Sequence, residues 1–230
     1  MSLHLKYQIE KLKKLILQLG SLVEEAVAGA IRAVDERDSA LAQRIVDGDT
    51  RIDTLEIDVE EECLHTLALH QPVAMDLRYV VAILKINNDL ERIADQAVNI
   101  AQQALALNEE AALEVLPFDL RTEAATARMM LKQALDGLIH VDADLADAVR
   151  GADENVDRIH RNMYRQVKEA IQKNPALTDQ LIRYISVSKN LERIADLATN
   201  IAEDVIYMVR GDILRHLPPS DHQRFAPRNS

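Results

Sequence analysis

Glu91 and Asp95 stand four residues apart in Leu90-Glu91-Arg92-Ile93-Ala94-Asp95, and Glu192 and Asp196 stand four apart in Leu191-Glu192-Arg193-Ile194-Ala195-Asp196. On a helix, residues i and i+4 are neighbours, with Cβ atoms about 5–6 Å apart. Each copy therefore aims two carboxylates the same way. Like charges at this spacing weaken a helix by roughly a few tenths of a kcal/mol. A bound divalent cation would offset that repulsion. Asn99 and Asn200 follow one turn on as neutral oxygen donors.

A second pair accompanies each of these: Asp49 with Asp53, and Asp153 with Asp157. Asp53 lies nineteen residues before Pro72 and Glu91 nineteen after it, while Asp49 and Asp95 lie twenty-three to either side. Counted from Pro175, the second-half distances are eighteen and seventeen, then twenty-two and twenty-one. In an antiparallel hairpin, equal counts mean equal height at about 1.5 Å per residue. The spacing predicts four carboxylates at one level, twice. Oxygen-only donors suit Mg²⁺, Mn²⁺ or iron. Four carboxylates can also bridge two metals about 3.5–4 Å apart. The competing reading is a solvated acidic face, with Arg92 paired to Asp95, Arg193 to Asp196 and Lys189 to Glu192.

Other chemistry is sparse. Glu62-Cys63-Leu64-His65 has one Glu-x-x-His, but Gln166 and Glu169 occupy the corresponding place in the second half, so His65 reads as an ordinary helix residue. Cys63 reads as a small core residue and Met129-Met130 as packing. There is no glycine-rich phosphate loop, no Gly-x-Ser-x-Gly and no Cys-x-x-Cys. A carboxylate cage without a neighbouring base or nucleophile points away from catalysis. A di-metal oxidase or hydrolase, and a metal-free helical scaffold, are the alternative readings.

The elements that must position these groups are helices. Apolar residues recur at helical spacing from about Lys6 to Val34, and again to about His70 after the polar turn at Asp35 to Ser39, where Asp38 or Ser39 can cap. Pro72 opens a third helix that reaches about Asn108. Residues 109–118 read as a linker. The pattern then repeats: a helix from about Leu120 to Val141, a turn at Asp142-Ala143-Asp144, a helix to about Lys173, and a third from Pro175 to about Val209, ended by Gly211. The expected fold is all-α, two sequence-related three-helix bundles with antiparallel up-down helices, over 1–112 and 113–215, with a loose tail at 216–230. Leu90, Ile93, Ala97 and Ile100, with Leu191, Ile194, Ala198 and Ile201, form core stripes.

Composition agrees. Only 6 Gly, 6 Pro and 3% aromatic residues occur among 230, which favours helix over strand. A net charge of −11 argues against nucleic-acid binding, which needs a basic face. The single cysteine excludes an intramolecular disulfide and fits a reducing cytosol. No segment approaches the roughly 20 apolar residues of a membrane span, and the N-terminus does not read as a secretory signal.

The two Leu-Glu-Arg-Ile-Ala-Asp copies, with Pro72-Val73-Ala74-Met75-Asp76-Leu77-Arg78 and Asn200-Ile201-Ala202-Glu203, resemble the PhoU family over almost the whole chain. The family's metal motif falls on Glu91 and Asp95, and on Glu192 and Asp196. Many members carry glycine where Ala94 and Ala195 stand; alanine favours helix by about 1 kcal/mol over glycine. The resemblance implies a non-enzymatic, cytoplasmic, dimeric regulator holding metal ions (iron, manganese, magnesium or zinc). It implies an adaptor between the ATPase subunit of a phosphate ABC transporter and a phosphate-responsive histidine kinase. In that role it keeps the starvation response off, and restrains uptake, when phosphate is plentiful.

Overall fold

A computed structural model describes residues 3–113 and 116–211; the tail expected to be loose lies outside the described residues. The described residues form six long helices, α1 (Leu3–Glu36), α2 (Ser39–His70), α3 (Ala74–Asn108), α4 (Leu120–His140), α5 (Ala143–Lys173) and α6 (Thr178–Arg210). A short 3₁₀ turn, Pro175–Leu177, precedes α6. No strand is present among the described residues.

Local chemistry sets the boundaries. The Asp38 side chain accepts from Leu41 N at 2.9 Å and starts α2. Asp119 accepts from Thr122 N at 3.0 Å and starts α4. Asp142 accepts from Asp144 N and Leu145 N as the N-cap of α5, so of the expected turn at Asp142-Ala143-Asp144 the last two residues already belong to the helix. The reversal sits one residue earlier, at Val141, whose φ is 55°. Neither proline opens its long α-helix directly, contrary to the sequence reading. Gln71 ends α2 in the left-handed region at φ 42°, Val73 is the extended N-cap, and α3 begins at Ala74. Pro175 opens the 3₁₀ turn instead. Gly211 ends α6 at φ 81°, and a Cβ there would meet the Arg78 guanidinium at 2.3 Å.

Each repeat packs its three helices on one another, and the two repeats join chiefly through α3 against α6, with a lesser contact of α1 with α4. α3 and α6 run antiparallel: Arg78 lies beside Gly211, and Lys85 Nζ reaches Asp204 Oδ1 at 3.0 Å. Nine residues on from Lys85 is Ala94, and nine back from Asp204 is Ala195, so the two alanines of the repeated motif lie level; both are buried. Each signature helix is thus covered on three sides. What stays open is a narrow strip: Asn88, Glu91, Arg92, Asp95 and Asn99 on α3, and Lys189, Glu192, Arg193, Asp196 and Asn200 on α6.

Ile93 and Ile194 are both fully buried in these helices. Truncating either to alanine is expected to cost about 2–5 kcal/mol. Because α3 and α6 share their interface, each variant should shift one urea transition of the whole chain. A separate early transition confined to the mutated repeat would contradict this coupling.

Candidate functional site

In the second repeat α5 and α6 bring Asp157, Glu192 and Asp196 together, with one carboxylate oxygen from each lying within 4.8 Å of the others. This is the one such group of three among the described residues. Asp153, one turn back on α5, joins them. Its carboxyl is held above the ordinary range by burial first, then by the charges of Asp157 and Glu192. Its Oδ1 is buried without a hydrogen-bond partner. Burial and then Glu192, Asp153 and Asp157 push Asp196 up to about 6. The cluster is charge-rich and only partly compensated: Arg161 reaches Asp157 Oδ2 at 3.4 Å, and Arg193 weakly favours the ionised Asp196.

The first repeat assembles the corresponding four more loosely. Burial, then Asp53 and Asp95, raise the Asp49 carboxyl. Burial, then Asp95, Glu56, Asp53 and Asp49, raise Glu91. So Asp49, Asp53, Glu91 and Asp95 face one region, as the counting predicts. The Arg92–Asp95 pair of the competing solvated-face reading does not form. Arg92 turns back to Asp89 Oδ1 at 3.4 Å, which leaves Asp95 on the carboxylate side. Asn99 and Asn200 are exposed one turn further on.

A fifth acid in each half escaped the sequence reading. Asp38 and Asp142 are equivalent caps, so Leu19 corresponds to Glu123 and Glu56 to His160; the signatures make Asn87 the counterpart of Ser188. In the first half Asn87 Nδ2 donates to Glu56 Oε1 at 2.9 Å and to Glu56 O at 3.0 Å, both bonds tying α3 to α2. In the second half the acid has moved to α4. Ser188 Oγ donates to Glu123 Oε1 at 2.7 Å, and His160 Nδ1 lies 2.7 Å from the same hydroxyl. Glu123 is fully buried, its Oε2 has no partner, and burial drives its carboxyl up to about 7. The only sequence signal was a glutamate at a core position of an otherwise apolar helical face.

The other candidates keep their structural roles. Cys63 is buried and burial pushes its thiol up to about 12, which makes it a poor nucleophile. His65 is exposed on α2. Met130 is core while Met129 is exposed.

The family described as PhoU domain matches residues 16–104 and 120–205. A Pseudomonas putida protein called phosphate-specific transport system accessory protein PhoU homolog is 38% identical over 210 residues, covering 91% of this chain and 82% of that one. The crystal structure of PhoU from Pseudomonas aeruginosa superposes with a TM-score of 0.87 at 37% identity, covering 90% of this chain and 99% of that one. The phosphate transport system regulatory protein PhoU from Streptococcus pneumoniae matches at a TM-score of 0.77 and 28% identity, covering 91% and 98%. These relatives are named for transport accessory or regulatory roles, not for a reaction.

Glu123 links pH to stability. Its folded pKa of about 7 lies above the ordinary 4.5, so the stability that it contributes is fully present below about 4.5 and is lost as pH rises toward 7. The full effect approaches about 3 kcal/mol. Glu123→Gln, which keeps an acceptor for Ser188, should flatten the decline of metal-free protein in urea melts across that window. An unchanged pH slope would count against the assignment.

Proposed function

The chain belongs to the PhoU family, and from that premise we propose that it is a metal-binding accessory protein of a phosphate-specific transport system, a negative regulator rather than an enzyme. The supporting observation is the α5–α6 cluster: three carboxylates whose oxygens approach within 4.8 Å, beside a buried Asp153 oxygen with no partner. Like charges so close need a counter-charge, and an all-oxygen donor set suits a hard or borderline cation. In this reading Asp153, Asp157, Glu192 and Asp196 hold one centre, and Asp49, Asp53, Glu91 and Asp95 the other. Asn99 and Asn200 complete them from the next turn. The ion is iron, manganese, magnesium or zinc, and more than one ion per centre fits the number of carboxylates.

The cations would lock α5 to α6 and α2 to α3, keeping the outer helix faces in fixed relation. Those faces would meet the transporter's ATPase subunit and a phosphate-responsive histidine kinase in the cytoplasm, with the protein as a homodimer. No described helix is long and apolar enough to cross a membrane, so contact with membrane proteins would run through such partners.

Titration of metal-stripped protein with Mn²⁺ or Fe²⁺ tests the metal reading. Asp157→Asn with Glu192→Gln should weaken binding about ten-fold or more, while stabilising the metal-free protein by relieving repulsion. Metal at 100 times its Kd should add about 2.7 kcal/mol to the unmodified protein. Affinity should also fall as pH drops below about 6, where Asp196 takes up a proton. Equal affinity in the variant would remove these residues from the role. Deleting the gene tests regulation: starvation genes should then be expressed in high phosphate, and normal repression would overturn it.

A further inference from the structure

A wide cleft lies away from the carboxylate clusters, where α2 and α4 flank α1. It encloses 1160 Å³. Its walls are marked by one pattern written twice. α2 contributes Arg44, Gly48 and Arg51, and α4 contributes Arg121, Ala125 and Arg128, each an arginine, a small residue and an arginine at i, i+4 and i+7. This spacing puts all three residues of each set on one helix face. Leu22 and Ala26 of α1 line the cleft between the walls. An added Cβ at Gly48 would meet nothing within 4 Å, so that wall is open to close approach.

Contacts across α1 set the order of the charges. Gly29 sits against Ile45 and Leu41, Gly20 against Leu135, and Arg121 pairs with Asp35 at 2.8 Å. Counted along α1 from these contacts, Arg121 lies level with Asp35, Arg44 and Arg128 stand at about the same height near Ala28 on opposite walls, and Arg51 lies further along. The four positions span roughly 18 Å. Arg121 is engaged by Asp35, whereas Arg44, Arg51 and Arg128 are exposed and have no ion pair among the described residues. Three acids also line the cleft: Asp35 is held by Arg121, Asp119 caps α4, and Glu25 is exposed.

A row of arginines on a chain of net charge −11 is a local reversal of sign. We infer that this slot docks an acidic amphipathic helix of a partner protein, about three turns long, with its apolar face on α1 and its carboxylates reaching both arginine walls. Guanidinium forks match carboxylates, and arginines on both walls match acids on both flanks of one helix. A small inorganic anion would leave the apolar floor uncovered, and nucleic acid would be repelled by the rest of the surface. The chain's own tail carries Arg224 and Arg228 against Asp221 and so has the wrong charge. The inference deepens the adaptor reading, on which it rests for the existence of a partner.

The test uses the full chain and two labelled synthetic peptides of about 15 residues, each helical with a leucine face, one flanked by glutamates and the other by lysines. Fluorescence anisotropy should show the glutamate peptide binding, more weakly as salt rises from about 50 to about 300 mM. Arg44→Glu with Arg128→Glu should weaken it about ten-fold or more and reverse the preference toward the lysine peptide. Arg165→Glu, on α5 outside the slot, should change nothing. Circular dichroism checks folding; should the double variant unfold, Arg44→Ala and Arg128→Ala singly must each weaken the glutamate peptide. No binding of that peptide, or equal binding by the variants, overturns the inference. So does a dimer that R44E/R128E dissociates and the peptide does not, because the slot is then a self-interface. None of these assays involves metal or phosphate, so their failure is distinguishable from failure of the regulatory reading.

Discussion

The structure depends on the antiparallel contact of α3 with α6. Each of these helices is buried against two partners of its own repeat and against the other repeat's equivalent. Three covered sides require apolar or small residues around most of the circumference, and the two copies of Leu-Glu-Arg-Ile-Ala-Asp meet that need with Leu90, Ile93 and Ala94, and with Leu191, Ile194 and Ala195. What remains is one narrow strip where a carboxylate avoids a heavy desolvation penalty. The acidic pairs fall there, whereas the acids buried elsewhere on these helices stand beside a cation: Asp204 with Lys85 and Asp89 with Arg92. Packing and chemistry are therefore two aspects of one constraint.

Duplication has not kept the halves identical. The second repeat brings three carboxylates within 4.8 Å, and the first holds its four farther apart. The neighbouring polar position has also diverged. Glu56 with Asn87 ties α2 to α3 in one half, whereas Glu123, Ser188 and His160 tie α4, α6 and α5 in the other. Glu56 is already raised by its partial burial and then by Glu60 and Asp53; moving the acid to a fully buried place on α4 gives a carboxyl held near neutrality. The two halves thus present different electrostatic environments on a shared frame. The arginine-walled cleft adds a third environment, of opposite sign, on the far side of α1.

Much of this was legible in the residues. The helix count, the internal repeat, the level placement of Asp53 with Glu91 and of Asp157 with Glu192, and the buried role of Cys63 follow from period, spacing and proline positions. The caps at Asp38 and Gly211 were also readable, because each is a local arrangement of a few residues. Where the reading failed, a neighbour had intervened. Pro72 and Pro175 looked like first helical residues, but Val73 is extended after the first and a 3₁₀ turn follows the second, so both long helices start later. Arg92 looked placed for Asp95 but turned to Asp89, since i−3 and i+3 are equally near on a helix and only the surroundings choose between them.

By itself, the sequence determined what a single helix can determine: how many helices there are and roughly where each lies, which face of each is apolar, and that one design appears twice. Those properties depend on the 3.6-residue period and on short-range hydrogen bonds, both contained within a few consecutive residues. Rotation of one helix about its axis relative to the next is not so contained. It is set by how side chains from several helices fill common space, and only the tertiary structure decided it. That rotation turned equal heights into converging carboxylates, put Glu123 inside rather than outside, and aligned arginines from α2 and α4 along one cleft.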